Sequence, residues 1–198
     1  ALGVRIVLDA PAATRVLQEA RVAFLFAPNF HPAMKHVAAV RRELGVPSVM
    51  NLVGPLANPA GVRRQVIGVA ESDRAPVVAE ALVRLGAEHA LVVHGRIGMD
   101  EISPMGVTDV WEVRDGAVRT WEIDPERYRL GIGDVAALKG GEPAENAERL
   151  ERILANGDND APGLAAVLLN AGAAIYVAGI AGSLAEGIGR AREVVASG

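Results

Sequence analysis

Cysteine is absent from all 198 residues, which excludes disulfides, thiolate metal sites and a cysteine nucleophile, and fits a cytoplasmic protein. Aromatic residues are scarce, 4% of a chain that is 51% hydrophobic, so the core must be assembled from Ala, Val, Leu and Ile. No stretch reaches the ~18 uninterrupted apolar residues of a membrane span. Residues 162–181 come nearest, but Asn170 and three glycines interrupt them. No signal peptide is visible, and a net charge of -4 gives no electrostatic footprint for nucleic acid or an anionic membrane. The GxxxxGK[ST], strand-borne GxGxxG, HExxH and GxSxG signatures are also missing. "GIGD" (131–134) and "LKGGEP" (138–143) read as loops and caps.

The length indicates a single domain, 1–198, or one with a small appendage. The chain begins at Ala1 and enters at once on "ALGVRIVL", which reads as the interior of a longer protein. Helix signals cover 11–20, with Pro11 suited to the first turn, and the stretch from Pro32 to Gly45. "VAFLFA" (22–27), "RQVIGVA" (64–70) and "HALVVHG" (89–95) are apolar runs of strand length, expected to be buried on both faces. Residues 75–86 form an amphipathic helix pattern. Residues 108–123 alternate with period two around Asp115-Gly116, predicting a hairpin. Helices are expected at 143–155, 162–178 and about 180–196. Strand–helix alternation predicts an α/β fold, a mostly parallel sheet flanked by helices with the antiparallel hairpin as an excursion.

"HGRIGMDEIS" (94–103) places Asp100 and Glu101 side by side just past a buried strand. Adjacent side chains diverge on regular backbone, so the two acids can share a target only on an irregular one. They read either as a solvated turn or as a site for a hard cation such as Mg²⁺, which prefers oxygen ligands and often bridges protein acids to phosphates. Their place beyond the carboxyl end of a strand, where ligands gather in α/β sheets, favours the cation.

On the helix expected after Pro32, Met34, Val37, Ala38, Arg41 and Leu44 share one stripe, so Arg41 projects from an apolar face. Such a guanidinium is either tied to a carboxylate or carbonyls of the protein, or free to fork onto the carboxylate or phosphate of a ligand. "NLVGPLANP" (51–59) is a stiff irregular loop. Gly54 would allow close backbone approach and Pro55 offers a flat apolar surface, though a tight structural turn explains both equally well. His31 either leads into the helix or walls a pocket.

Taken in order, "FLFAPNFHPAMKHVAAVRRELGVPSVMNLVGPLANP", "HGRIGMDEIS" and "GGEPAENA" resemble the carboxyl-terminal two-thirds of the anthranilate phosphoribosyltransferases. The combination of HPAMK, GPLxNP and DEIS carries the resemblance. It implies transfer of the phosphoribosyl group of 5-phosphoribosyl 1-pyrophosphate (PRPP) to anthranilate, an early step of tryptophan synthesis, by a homodimer of a small helical and a large α/β domain. By position, Asp100 and Glu101 would bind Mg²⁺ (two ions), Arg41 would contact anthranilate, and His31, Gly54 and Pro55 would line its channel. No nucleic acid or membrane partner is implied. The family's GTGGD-type PRPP loop, its HGN segment and its helical domain have no counterpart in this sequence, so residues 1–198 alone are expected to be inactive. A pyrimidine nucleoside phosphorylase and a non-catalytic nucleic-acid-binding relative are the rival readings of the same fold.

Overall fold

The computed structural model describes residues 2–32, 43, 54–156 and 160–197. They divide into two compact units, 1–61 and 62–198.

In the first unit, Asp9 caps helix α1 (Ala10–Ala20) by accepting the Ala12 N–H at 2.8 Å, with proline in the first turn as expected. Arg21 closes the helix in the left-handed conformation, φ 62°. The strand expected at 22–27 is not formed: 22–26 carry no regular structure, and Ala27–Phe30 make the short helix α2. Val22 and Phe24 are 70% and 57% exposed rather than buried. A strand of the fully buried kind needs partners at its edges and layers on its faces. The described residues of this unit contain no other strand to supply them. An apolar run states a preference for burial but not a partner.

The helix expected from Pro32 to Gly45, with Arg41 on it, lies outside the described residues apart from its first residue and Glu43. Gly54 and Pro55, read as irregular loop, are helical together with Leu56, and the turn follows at 57–60. Proline's fixed φ is compatible with helix where no backbone donor is required of it.

The second unit carries the sheet, in the order β1 (Arg64–Gly68), β2 (His89–Gly95), β3 (Thr108–Arg114), β4 (Ala117–Ile123). β1 and β2 run parallel, from Arg64 opposite His89 to Gly68 opposite Val93, and are linked through helix α3 (Ala75–Arg84). β2–β3 and β3–β4 are antiparallel. The α/β class therefore holds, while the hairpin is built into the sheet and makes two of its three pairings. Its turn is as the sequence demands: Asp115 and Gly116 have φ of 53° and 74°, the two positive values of a type I′ turn.

β2 is buried along its whole length. Leu91 and Val93 join Val110 in a cluster with Leu168, Leu169 and Ala173 of helix α5 (Ala161–Val177) and Ile188 of helix α6 (Leu184–Ser197). Strand alternation turns Ala90 and Val92 to the other face, also fully buried, where α3 packs on the sheet with Val78, Ala79 and Leu82. α5 and α6 cross in close contact at Gly172 and Gly187, where a Cβ on Gly172 would stand 2.7 Å from the Ile188 nitrogen. Asp160 caps α5 through the Gly163 N–H and is clasped by Arg149 of helix α4 (Pro143–Asn156). No helix among the described residues is long and apolar enough to cross a membrane.

Candidate functional site

β1 ends at Gly68, opposite Val93, and β2 runs on to Gly95, after which the chain returns across the β1 end as a tight excursion. The Gly95 N–H donates to the Met99 carbonyl at 2.8 Å, pairing the two residues in an isolated bridge. Asp100 and Glu101 follow on a bend, both exposed. The sequence expectation of irregular backbone at the acid pair is met, at the carboxyl ends of the only parallel strand pair among the described residues.

The bend is held from three sides. The Asp100 carbonyl lies against Gly68, filling the place a side chain would take, and the Glu101 carbonyl is 3.2 Å from where a Cβ on Gly95 would be. Downstream, the fully buried Ile102 is bonded at both ends of its backbone by Asn170 of α5. Ser103 then donates its N–H to Thr108 Oγ1 at 3.0 Å, and its own Oγ accepts from Met105 N–H at 3.0 Å. Gly68, Asn170 and Thr108 are contributors that sequence reasoning missed. Asn170 alone left a signal, as a polar residue in the middle of an apolar helix.

Among the described residues neither carboxylate has a cationic partner. Arg96, the nearest cation in sequence, is committed elsewhere: it forks onto Asp109 at 2.7 and 3.0 Å and reaches Glu122 at 2.9 Å. No group of three or more His, Cys, Asp or Glu side chains able to hold a metal occurs among the described residues. Two exposed oxygen donors on a fixed bend do not make a closed cage. They do suit Mg²⁺, which takes one or two carboxylates and fills its remaining positions with water and substrate phosphate.

His31 is half-buried in the first unit and closes α2, its N–H bonded to the Ala27 carbonyl. Gly54 and Pro55 are exposed in the same unit, and a Cβ on Gly54 would meet open space. The structure thus brings Asp100 and Glu101 together; Arg41 lies outside the described residues.

A cleft of about 700 Å³ opens at the opposite end of the strands, lined by Arg63, Arg64, Glu88, His89, Arg114 and Tyr176 among others. Arg63 and Arg64 share Glu88, each at 3.1 Å, and Arg64 also bonds the Val177 carbonyl at the end of α5. Next to it Glu112 accepts three hydrogen bonds, from His89 Nε2 (2.8 Å), Tyr176 OH (2.6 Å) and Trp121 Nε1 (3.0 Å). Burial pushes the Glu112 carboxyl up, but the three donors outweigh it and hold the group below the usual carboxylate range. Burial, followed by the hydrogen bond to Glu112, raises Tyr176. This cluster ties β2, β3, β4 and α5 together and lies away from the acid pair.

The sequence pattern described as "Glycosyl transferase family, a/b domain" matches residues 1–198. Anthranilate phosphoribosyltransferase of Laribacter hongkongensis is 47% identical over 198 residues, covering 100% of this chain and 57% of its own length. That of Dechloromonas aromatica is 46% identical, with 100% and 58% covered. Among solved structures, the anthranilate phosphoribosyltransferase of Thermus thermophilus superposes with a TM-score of 0.89 at 47% identity, covering 99% of this chain and 57% of that one. The Saccharomyces cerevisiae enzyme in complex with PRPP and Mg gives 0.84 at 28% identity, with 99% and 55% covered. The chain spans a little over half the length of the relatives it matches.

Proposed function

The chain belongs to the glycosyl transferase family through its a/b domain, and from that premise we propose that the protein it forms transfers the phosphoribosyl group of PRPP to anthranilate, releasing pyrophosphate. The observation that carries this reading is the bend holding Asp100 and Glu101 across the carboxyl ends of β1 and β2. That is where α/β sheets present ligands, and the chemistry on offer, two carboxylates without a cationic partner among the described residues, is that of a divalent-cation site for a pyrophosphate group. Relatives named for this reaction, and one solved with PRPP and Mg, support it.

Asp100 and Glu101 would hold Mg²⁺, which when bound supplies charge neutralisation for a departing pyrophosphate. The protein's own contribution would be to fix the backbone that carries the two carboxylates, limiting the reorganisation needed as charge develops on the leaving group. Arg41, on the apolar stripe read from the sequence, would receive the anthranilate carboxylate on its planar fork, with the ring on the neighbouring aliphatic side chains. His31, Gly54 and Pro55 would line the approach. The active form would be a cytoplasmic homodimer whose full length adds the PRPP loop, and two ions would serve each site.

The test is an assay of the full-length protein with PRPP and anthranilate, following loss of anthranilate fluorescence with and without chelation of Mg²⁺. Mg²⁺-dependent loss supports the reading. Release of thymine from thymidine and phosphate, with anthranilate untouched, would replace it by the nucleoside phosphorylase reading.

A further inference from the structure

Asp100 and Glu101 are exposed, and among the described residues neither side chain makes a hydrogen bond or ion pair that would hold the bend. One side chain 68 residues away does. Asn170 Oδ1 accepts the Ile102 N–H at 3.1 Å, and Asn170 Nδ2 donates to the Ile102 carbonyl at 3.0 Å. The same Nδ2 donates to the Ala166 carbonyl, one turn back on α5, at 3.0 Å. A primary amide has two N–H donors and one oxygen; here both donors and the oxygen are engaged. The orientation is unambiguous, since a flipped amide would point its oxygen at two carbonyls and its N–H at an N–H.

The arrangement copies the edge of a neighbouring strand for a single residue. Ile102 directly follows Glu101 and lies outside every strand, so no sheet ladder satisfies it. An apolar residue at 170 would leave a buried N–H and a buried carbonyl without partners. The helix that carries Asn170 is itself anchored, because α5 packs on α6 through Gly172 and on the sheet through Leu168 and Leu169. The position of the acid pair is thereby referred to the core rather than to the loop.

We propose that Asn170 is a positioning residue for the cation site: by holding Ile102 it sets where the Asp100 and Glu101 carboxylates stand, and so the affinity for a divalent cation with its bound pyrophosphate group. This rests on the reading of the acid pair given above. Partners that orient metal ligands typically account for about 10- to 100-fold in metal affinity or activity, and Asn170 orients the pair through the backbone that carries it.

The experiment uses the full-length protein with Mn²⁺ as the probe, its binding followed by electron paramagnetic resonance in the presence of PRPP. Asn170→Ala is compared with wild type and with Asp100→Asn/Glu101→Gln, alongside hydrogen exchange at the Ile102 amide and steady-state kinetics. The expected result is faster exchange at Ile102, Mn²⁺ binding weakened about 10- to 100-fold, and an unchanged KM for anthranilate. Asn170→Ser serves if the alanine variant does not fold: its hydroxyl can still bond the Ala166 carbonyl but is too short to reach Ile102. If a folded variant exchanges faster at Ile102 yet binds Mn²⁺ as tightly as wild type, Asn170 is only structural and the proposal is overturned while the acid-pair reading stands. If the double acid variant itself binds Mn²⁺ like wild type, the acid-pair reading falls, and this proposal with it.

Discussion

Gly68 and Asp100 meet where a side chain would have to be: the carbonyl oxygen of Asp100 occupies the place of a Cβ on Gly68. The obstacle is backbone, not the flexible end of a side chain, so even a methyl group forces β1 or the bend to move. Gly68→Ala is expected to destabilise by about 1–3 kcal/mol, the usual range for overpacking, read as a lower urea midpoint. In the full-length protein it should also weaken Mg²⁺-dependent turnover. Gly95→Ala meets contacts of 3.2 Å and should be milder on both measures. Equal effects would mean that the bend yields freely at Gly68.

Removing the two negative charges with little change of shape, by Asp100→Asn with Glu101→Gln in the full-length protein, should lower turnover roughly a thousandfold, since Lewis-acid stabilisation is worth several kcal/mol. Both side chains are exposed, so the melting temperature should hold. Unchanged rate and unchanged Mg²⁺ dependence would reduce the pair to a solvated turn.

Arg41 is tested against Arg42. Breaking a desolvated charge pair typically costs about 2–5 kcal/mol, or roughly thirtyfold to several thousandfold in kcat/KM for anthranilate at about 1.4 kcal/mol per decade. Arg41→Ala should show this loss with little change in PRPP use, Arg41→Lys should recover little of it, and Arg42→Ala should change little. A lower melting temperature with intact anthranilate kinetics would make Arg41 structural.

Glu112 predicts a pH effect at the opposite end of the sheet. Its folded-state pKa lies below the unfolded value. The stability it contributes is therefore fully present above the unfolded pKa, near 4.5, and is lost as pH falls through the lower folded value. Glu112→Gln places an amide N–H₂ among three donors, and a buried donor without an acceptor costs about 1–3 kcal/mol. Urea unfolding from pH 7 to pH 3 should show the variant less stable at neutral pH, with the gap to wild type closing below about pH 4.5. A gap independent of pH would mean the carboxylate charge is not what the three donors serve.

Where the signal is short-range, the sequence was sufficient. Asp115-Gly116 encodes its own turn through backbone conformations that few other pairs adopt, and the alternation on either side then sets β3 and β4. β2 is apolar throughout and buried throughout. The helices expected at 143–155 and 162–178 form over Pro143–Asn156 and Ala161–Val177. The acid pair was visible because its chemistry is written in two residue types on backbone that glycine had already interrupted.

Only the tertiary structure decided what depends on a partner distant in the chain. "VAFLFA" has the composition of a buried strand, yet Val22 and Phe24 stand exposed, because burial requires neighbours that composition cannot name. Asn170 looked like an interruption of an apolar helix until its amide was found on Ile102, 68 residues away. Gly68 looked like an interior position of a strand expected over 64–70, yet the strand stops there with the Asp100 carbonyl against it. Residue types fix which groups can bond and which turns can form, since those depend on neighbours a few positions away. Which carbonyl meets which amide across the fold depends on how helices and sheet pack, and that packing turned two adjacent acids into a held pair.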